Sequence, residues 1–240
     1  MIKIERTPCP TFLSIEKAKE LTNKFRETGT SVWKNKELKN ALLEMSNYKC
    51  AYCETRLEIK DSYMEVEHFH PKSLYPSEVL CWNNLLPSCK KCNVNKRDHD
   101  PIKEPIINPC EDEPKKHLCV EAARLYPRLH SDIGKSTIDT LDLNDNTRLV
   151  TPRFELCNSV KDELEELHYN NVIDRAFRNK FKGLLSACSA DTPFSAFTSN
   201  TLHNDHYYSE IKEKLKSNNL WNDELDELDK VTKKIALDPR

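Results

Sequence analysis

The chain has 240 residues and a formal net charge of −2, with 32% charged and 38% hydrophobic side chains. This length can bury one or two hydrophobic cores, and the composition is typical of a globular protein rich in helices. No apolar run approaches the ~20 residues of a membrane-spanning helix, and the first residues lack the apolar segment of a signal peptide. We therefore expect a cytoplasmic protein.

Two amphipathic helices are predicted in the first part of the chain. From Ser14 to about Thr28, apolar residues recur at three- and four-residue steps, and Gly29 follows as a stop. A second run with the same spacing extends from near Lys36 to Met45. The serine at the start of the first helix is a preferred capping residue.

Short strands are predicted next, in a cysteine-rich block. The sequence suggests them at Ala51-Tyr52 and from Tyr63 to Phe69. Four prolines between residues 101 and 114 indicate an irregular linker. Beyond it, from about Lys115, helices are predicted to resume.

The rest of the chain is predicted to be helical. Phe154 to Ala187 is the longest periodic stretch, and shorter helical patterns cover about His203 to Lys216 and Asp223 to Ala236. We expect an α+β fold that is mostly α-helical. We also expect three regions: N-terminal helices (1–46), a small metal-stabilised ββα core (47–110) and a helical C-terminal tail (111–240).

Two C-x-x-C pairs predict a structural zinc site. Cys50/Cys53 and Cys89/Cys92 are separated by thirty-five residues, and two such pairs supply the four thiolates of a tetrahedral site. A redox or coincidental pairing is the alternative. The remaining cysteines have no partner in sequence and are predicted to be small buried hydrophobes: Cys9, Cys81, Cys110, Cys119, Cys157 and Cys188.

The segment that includes both pairs resembles a known family. It reads C-x-x-C, acid-His-x-x-Pro, Asn-Leu and C-x-x-C-Asn-x-x-Lys, from Cys50 to Lys96. This order of elements resembles the zinc-bearing branch of the HNH (ββα-metal) endonucleases. Over roughly residues 35 to 155 the chain looks like the PtuB family, the HNH subunits of Septu-type and retron-associated anti-phage systems. The residues that carry this narrower likeness are Cys50–Glu54, Glu67–Phe69, Trp82–Leu86, Ile107–Pro109, Thr137–Ile138 and Leu143–Asn144 through to Arg153.

The resemblance implies a site for phosphodiester hydrolysis. By position in the motif, His68 is the general base, Glu67 and Asn93 hold a catalytic Mg²⁺ or Mn²⁺, and Asn84 ties the loop between strand and helix. It also implies an ATPase partner subunit of the PtuA type. The chain has no Walker-type phosphate loop, so ATP hydrolysis would belong to that partner.

The residue chemistry agrees with these roles but leaves points open. An imidazole that titrates near neutrality can take a proton from water, if a carbonyl or side chain orients its other nitrogen. Neighbours on a regular strand point to opposite faces, so Glu67 and His68 can converge only at a strand end or a bulge. Asn93 could instead cap a helix. For His70 we weigh a place as an auxiliary ligand or substrate contact against plain solvent exposure.

Nucleic acid is the expected substrate. DNA is favoured and RNA stays open, because the motif addresses phosphates. A basic cluster is expected along the phosphate path, with a solvated surface as the alternative: Lys72, Lys90, Lys91 and Lys96. The net charge of −2 predicts a low non-specific affinity for nucleic acid, which suggests that a partner delivers the substrate. The rival hypothesis is a non-catalytic zinc module or scaffold subunit that binds nucleic acid or protein.

Overall fold

The computed structural model describes residues 1–57 and 63–240. Within these ranges the chain folds into nine α-helices: α1 (Ile15–Thr28), α2 (Lys36–Met45), α3 (Lys90–Lys96), α4 (Asp132–Leu141), α5 (Thr151–Tyr169), α6 (Arg175–Ala187), α7 (Ser195–Asn204), α8 (His206–Ser217) and α9 (Asp223–Ile235). The same ranges contain five strands: β1 (Met64–His68), β2 (Leu85–Cys89), β3 (Leu118–Glu121), β4 (Arg124–Pro127) and β5 (Asp238–Pro239). The predicted class, a mostly helical α+β fold, is confirmed. None of the described helices has the length and apolarity that crossing a membrane requires.

The N-terminal helices form where the sequence predicts them. The side chain of Ser14 caps α1 by accepting from the Lys17 N–H, and Gly29 ends the helix with a left-handed φ of 68°. Helix α2 begins after the capping residue Asn35 and buries one face, which includes Leu38 and Leu42. This face packs against β1 and β2.

The centre of the fold is a ββα unit. Strands β1 and β2 are antiparallel, with Glu67 opposite Leu86 and His68 opposite Leu85, and α3 follows β2 without an intervening loop. The strand expected from Tyr63 to Phe69 is confirmed as β1. The prediction of a strand at Ala51-Tyr52 is wrong. These residues form a turn, in which the Glu54 N–H donates to the Cys50 carbonyl.

A second small sheet replaces part of the predicted helical tail. Strands β3 and β4 form an antiparallel hairpin, and β5, at the other end of the chain, pairs in parallel with β3. The expectation that helices resume from Lys115 is therefore wrong for this stretch. The turn of the hairpin is formed by Ala122 and Ala123, both with positive φ.

The long periodic stretch from Phe154 to Ala187 is two helices. Helix α5 ends at Tyr169, and α6 begins after Asp174, whose carboxylate accepts from the Phe177 N–H. The pattern from His203 to Lys216 likewise divides between α7 and α8. The helix predicted from Asp223 is confirmed as α9.

The buried apolar residues form two clusters. The first core surrounds the ββα unit. It includes residues from β1 and β2, from α2 and α4, and from the start of α7. The second core lies among α5 to α9, with Phe181, Leu164 and Ile211 fully buried. Arg153 of α5 reaches the first core, where its guanidinium lies 4.3 Å from the ring centre of Phe197. The region boundaries predicted after residues 46 and 110 stay predictions.

Candidate active site

Four cysteines come together in a single buried cluster. The sulfurs of Cys50, Cys53, Cys89 and Cys92 all lie within 4.8 Å of one another. Cys50 and Cys53 flank the turn before β1, whereas Cys89 ends β2 and Cys92 lies in α3. Cys53 Sγ and Cys89 Sγ are 3.8 Å apart, which fits a tetrahedron with bonds of ~2.3 Å to zinc. The cluster therefore has the geometry of a structural zinc site, and the predicted grouping is confirmed.

An arginine from outside the motif lies against this cluster. Arg148 Nη1 is 3.7 Å from Cys53 Sγ and 3.9 Å from Cys89 Sγ. Four thiolates around Zn²⁺ carry a net charge of −2, so a guanidinium beside them reduces the charge that the protein buries. No sequence pattern predicts this contact, because Arg148 lies fifty-six residues beyond Cys92.

Glu67 is almost fully buried and faces α3. Its Oε1 lies 2.8 Å from Lys96 Nζ, in an ion pair whose side chains are both nearly inaccessible to solvent. No described residue donates a well-aligned hydrogen bond to that oxygen. Burial raises the pKa of Glu67 to about 7, although Lys96 and Lys72 oppose this shift. A buried carboxylate oxygen whose lone pairs are not all used by well-aligned donors is a suitable ligand for a hard divalent cation.

His68 is the last residue of β1, and its ring is held on two sides. Nε2 lies 3.0 Å from the Val79 carbonyl oxygen. Since a carbonyl can only accept, Nε2 carries the proton and Nδ1 of the neutral ring is left to accept one. The indole of Trp33 meets the imidazole edge-on, with 4.8 Å between ring centres. Burial lowers the pKa of His68 to about 4, below the near-neutral value expected from the sequence.

Glu67 and His68 contact different elements, as expected for neighbours on a strand. The carboxylate meets Lys96 of α3, whereas the imidazole meets Val79 and Trp33. Nevertheless, the positive charges of Lys72 and Lys96 act on both side chains and lower the pKa of each. Because β1 ends at His68, this residue occupies the strand end at which the sequence analysis allows the two side chains to converge.

Asn84 is buried and fixes the loop that follows β1. Its Oδ1 accepts from the His70 N–H at 2.7 Å, and its Nδ2 donates to the carbonyl oxygens of His70 and Glu78. The loop thus tied connects β1 to β2, rather than a strand to a helix. His70 is half-buried, with Nδ1 2.7 Å from Glu78 Oε2.

Asn93 lies one turn inside α3 and is held by a residue that sequence reasoning missed. The helix cap is Cys89, so the alternative that Asn93 caps α3 is wrong. Asn93 Nδ2 donates to Glu65 Oε2 at 2.5 Å. Glu65 lies two residues before Glu67 and therefore on the same face of β1. This alternation was the signal in the sequence that could have identified Glu65.

The four lysines expected along the phosphate path differ in exposure. Lys90 and Lys91 are exposed at the start of α3, and Lys72 is exposed with its ammonium 5.5 Å above the Trp33 ring. Lys96 departs from the expectation, since it is 1% exposed and also donates to the His68 carbonyl. Its ammonium is already used by the buried Glu67 carboxylate, so Lys96 is not a surface contact for phosphate.

The cysteines outside the cluster divide into three groups. Cys119 and Cys188 are buried, as predicted, and Cys110 and Cys157 are partly buried. The prediction is wrong for Cys9 and Cys81, which are exposed. Both lie in irregular segments, which present no apolar face to the core.

Comparison with known proteins agrees with this geometry. The HNH endonuclease family model matches residues 50–99, the stretch that includes the cysteine cluster and the ββα unit. Septu protein PtuB of Bacillus thuringiensis is 40% identical over 240 residues, covering 93% of this chain and 90% of that protein. Septu protein PtuB of Bacillus mycoides (strain KBAB4) is 34% identical over 160 residues, covering 49% of this chain and 54% of that protein. The chain therefore belongs to the PtuB family and carries an HNH endonuclease domain.

Proposed function

We propose that this chain hydrolyses phosphodiester bonds of nucleic acid, with His68 as the general base and a divalent cation held by Glu67 and Asn93. The observation that carries the proposal is the orientation of His68. Its Nε2–H is directed at the Val79 carbonyl, so Nδ1 is the nitrogen that can take a proton from water. A pKa of about 4 keeps the ring neutral at neutral pH, which is the form a base requires.

Glu67 and Asn93 are the oxygen donors for the cation. The Glu67 carboxylate is buried, and the amide nitrogen of Asn93 is engaged by Glu65, which leaves the amide oxygen as the donor atom. One carboxylate and one amide oxygen suit Mg²⁺ or Mn²⁺, which keep several waters. When bound, such an ion stabilises the negative charge that develops on the phosphate and the leaving oxygen.

The other residues of the site position these groups. Asn84 fixes the loop that follows β1 by accepting from the His70 N–H, and Lys96 offsets the charge of the buried Glu67. Lys72, exposed above Trp33, is placed to attract a phosphate near His68. We propose that the cysteine cluster binds Zn²⁺ as a structural ion, since four thiolates leave no open position for chemistry.

We further propose DNA as the substrate, with RNA sharing the same phosphate chemistry. The relatives are named Septu protein PtuB, and on this basis we propose that the chain is the nuclease of a Septu-type anti-phage complex in the cytoplasm. An ATPase subunit of the PtuA type would be its partner. The net charge of −2 supports partner-assisted delivery of substrate, because non-specific grip depends on basic side chains.

The decisive experiment measures cleavage with and without the base. The purified chain, alone and with its ATPase partner, is incubated with plasmid DNA and Mg²⁺ or Mn²⁺, alongside His68→Ala. Removal of a general base lowers the rate by about a hundredfold or more. His206→Ala is the matched control, because this histidine is exposed on α8, far along the chain from the ββα unit.

The outcomes separate an enzyme from a zinc-binding module. Cleavage by the wild type and the His206→Ala variant, but not by His68→Ala, supports the nuclease. If the wild type and His68→Ala cleave equally little with the partner present, the chain is a non-catalytic module and the proposal fails. Glu67→Gln and Asn93→Ala are each expected to weaken Mn²⁺ binding, which electron paramagnetic resonance measures without relying on turnover.

A further inference from the structure

A basic surface pocket opens beside β1, outside the motif residues. Its volume is about 410 Å³, and its walls include Lys34, Lys36, Lys39, Tyr63 and Leu43. None of its lining residues within 1–57 and 63–240 is acidic. Lys34 and Lys36 are exposed and Lys39 is partly so, and none of the three forms an ion pair with a residue that the structure describes. Tyr63 is 71% exposed.

The pocket is linked to the candidate base through Trp33 and through strand β1. Lys34 directly follows Trp33, whose indole contacts the His68 imidazole and lies beneath the Lys72 ammonium. Tyr63 directly precedes β1, the strand that ends at His68. A strand of nucleic acid passing His68 would therefore meet Lys72 first and the pocket next.

Ordinary solvated side chains are the competing explanation, and two features argue against it. Across the chain, basic and acidic residues nearly balance, at 37 and 39. The described walls of the pocket depart from this balance, because they contain three lysines and no acid. It also exposes a tyrosine ring beside them. Lysines that follow a phosphate chain and an aromatic ring on which a base can stack are the two parts of a single-strand binding surface.

We propose that this pocket binds the nucleotides that flank the scissile phosphate, as an unpaired strand. The base stacks on Tyr63, and the neighbouring phosphates lie against Lys34, Lys36 and Lys39. This inference rests on the proposed nuclease function and gives the substrate strand a direction, from His68 past Trp33 to α2. It predicts that the enzyme engages an unpaired or locally opened region beside the cleavage position.

Binding measured without cleavage tests the pocket. Fluorescence anisotropy follows a labelled twelve-residue oligothymidylate, and in parallel oligouridylate, with no divalent ion added. The triple variant Lys34→Gln/Lys36→Gln/Lys39→Gln should lower the slope of log Kd against log salt by about 2, since each phosphate contact on a single strand contributes ~0.7. Tyr63→Ala should weaken binding about tenfold, and Tyr63→Phe should restore it.

A matched triple variant controls for charge alone. Lys180→Gln/Lys216→Gln/Lys230→Gln removes the same formal charge from α6, α8 and α9, where each lysine pairs with a glutamate or aspartate. This variant should keep the wild-type slope. The pocket assignment is overturned if the two triple variants have equal slopes, if Tyr63→Ala binds as tightly as wild type, or if the wild type binds neither oligonucleotide.

Failure of the pocket and failure of the nuclease give different results. If the wild type cleaves plasmid in Mn²⁺ but the pocket variants bind normally, only the pocket is wrong. If the pocket variants lose salt dependence and stacking as described but no form of the chain cleaves, the pocket stands and the nuclease fails. A tighter complex with oligothymidylate than with oligouridylate assigns the strand to DNA, and the reverse assigns it to RNA.

Discussion

The two hydrophobic cores of this chain are built in different ways. The first surrounds the ββα unit, whose strands are five residues each, and it has the four-cysteine cluster beside it. The second lies among five helices and contains closely packed leucine, phenylalanine and isoleucine side chains. The strands and turns of the ββα unit are short, so we expect a metal bound by the cysteines to help hold this unit in place. Long helices with continuous apolar faces need no such ion.

We propose a functional reason for this difference. Catalytic groups must be held rigidly while remaining next to solvent and substrate, and a buried carboxylate such as Glu67 costs stability. Metal ligation offsets that cost without filling the site with apolar side chains. The second core also has a buried carboxylate, Asp229, but Tyr208 and Lys212 donate hydrogen bonds to it, so its burial is offset by side chains of the chain itself.

The largest expected effect comes from removing a zinc ligand. Cys92→Ser should abolish zinc binding and unfold the first core, because structural zinc sites contribute on the order of 10 kcal/mol to folding. Calorimetry should show the transition of the first core lost and that of the second retained. Zinc content, measured by mass spectrometry, should fall from about one per chain to near zero.

Cys188→Ser is the matched control for this substitution. Cys188 is as deeply buried as Cys92 but belongs to the second core. It should keep full zinc content and lose only a small amount of stability. Equal zinc loss in the two variants, or an unchanged first transition in Cys92→Ser, would contradict the division into a metal-held and a packed core.

The second-largest effect is expected from a cavity in the second core. Phe181 is fully buried there, and Phe181→Ala should cost about 3–5 kcal/mol in the free energy of unfolding. Zinc content and, below the melting temperature, cleavage should be unchanged. Phe154→Ala is the control, since this ring is 55% exposed. A Phe181→Ala variant that loses zinc would show that the two cores fold as one unit.

How much of this architecture the sequence predicts depends on the length of each element. Helices α1 and α2 were predicted because several turns of apolar spacing fix a face, and caps mark their ends. The β3–β4 hairpin was missed because its strands have four residues each. Its turn is formed by Ala122 and Ala123 in left-handed conformation, where glycine or asparagine would have been the signal.

In the candidate site, the sequence identifies some of the functional side chains but not the groups that they contact. The four cysteines were grouped correctly because the spacing of two C-x-x-C pairs is typical of a metal site. Glu67 and His68 were singled out by the family resemblance, and their roles stay predictions. The carbonyl of Val79 could not be found, because any residue presents one. Lys96 was misplaced because a lysine in sequence does not reveal whether it faces phosphate or, as here, a buried carboxylate.

Acid should destabilise the second core through His203. Burial lowers the pKa of His203 to about 4, although Asp229 opposes the shift, so the folded state binds the proton less readily than the unfolded chain. Stability should therefore fall as the pH drops from about 6.5 to about 4, by up to about 3 kcal/mol. His203→Gln keeps a donor for Thr232 and should flatten this part of the unfolding profile. His206→Gln, with its exposed side chain, should leave the profile unchanged.

The smallest expected effect is a loss of Mn²⁺ affinity when Glu65, in the candidate active site, is replaced. Glu65 holds the amide of Asn93, so Glu65→Ala should let that amide rotate and weaken Mn²⁺ binding by about 10–100-fold, the usual cost of losing a residue that orients a metal ligand. Zinc content and both melting transitions should be unchanged, because Glu65 touches neither the cysteine cluster nor the second core in the described contacts. Glu65→Gln should restore part of the affinity, since its amide oxygen still accepts from Asn93. Glu210→Ala, on α8 of the second core, removes an equal charge and should leave Mn²⁺ binding intact. Wild-type Mn²⁺ affinity in Glu65→Ala would mean that α3 alone orients Asn93, without help from the Glu65 carboxylate.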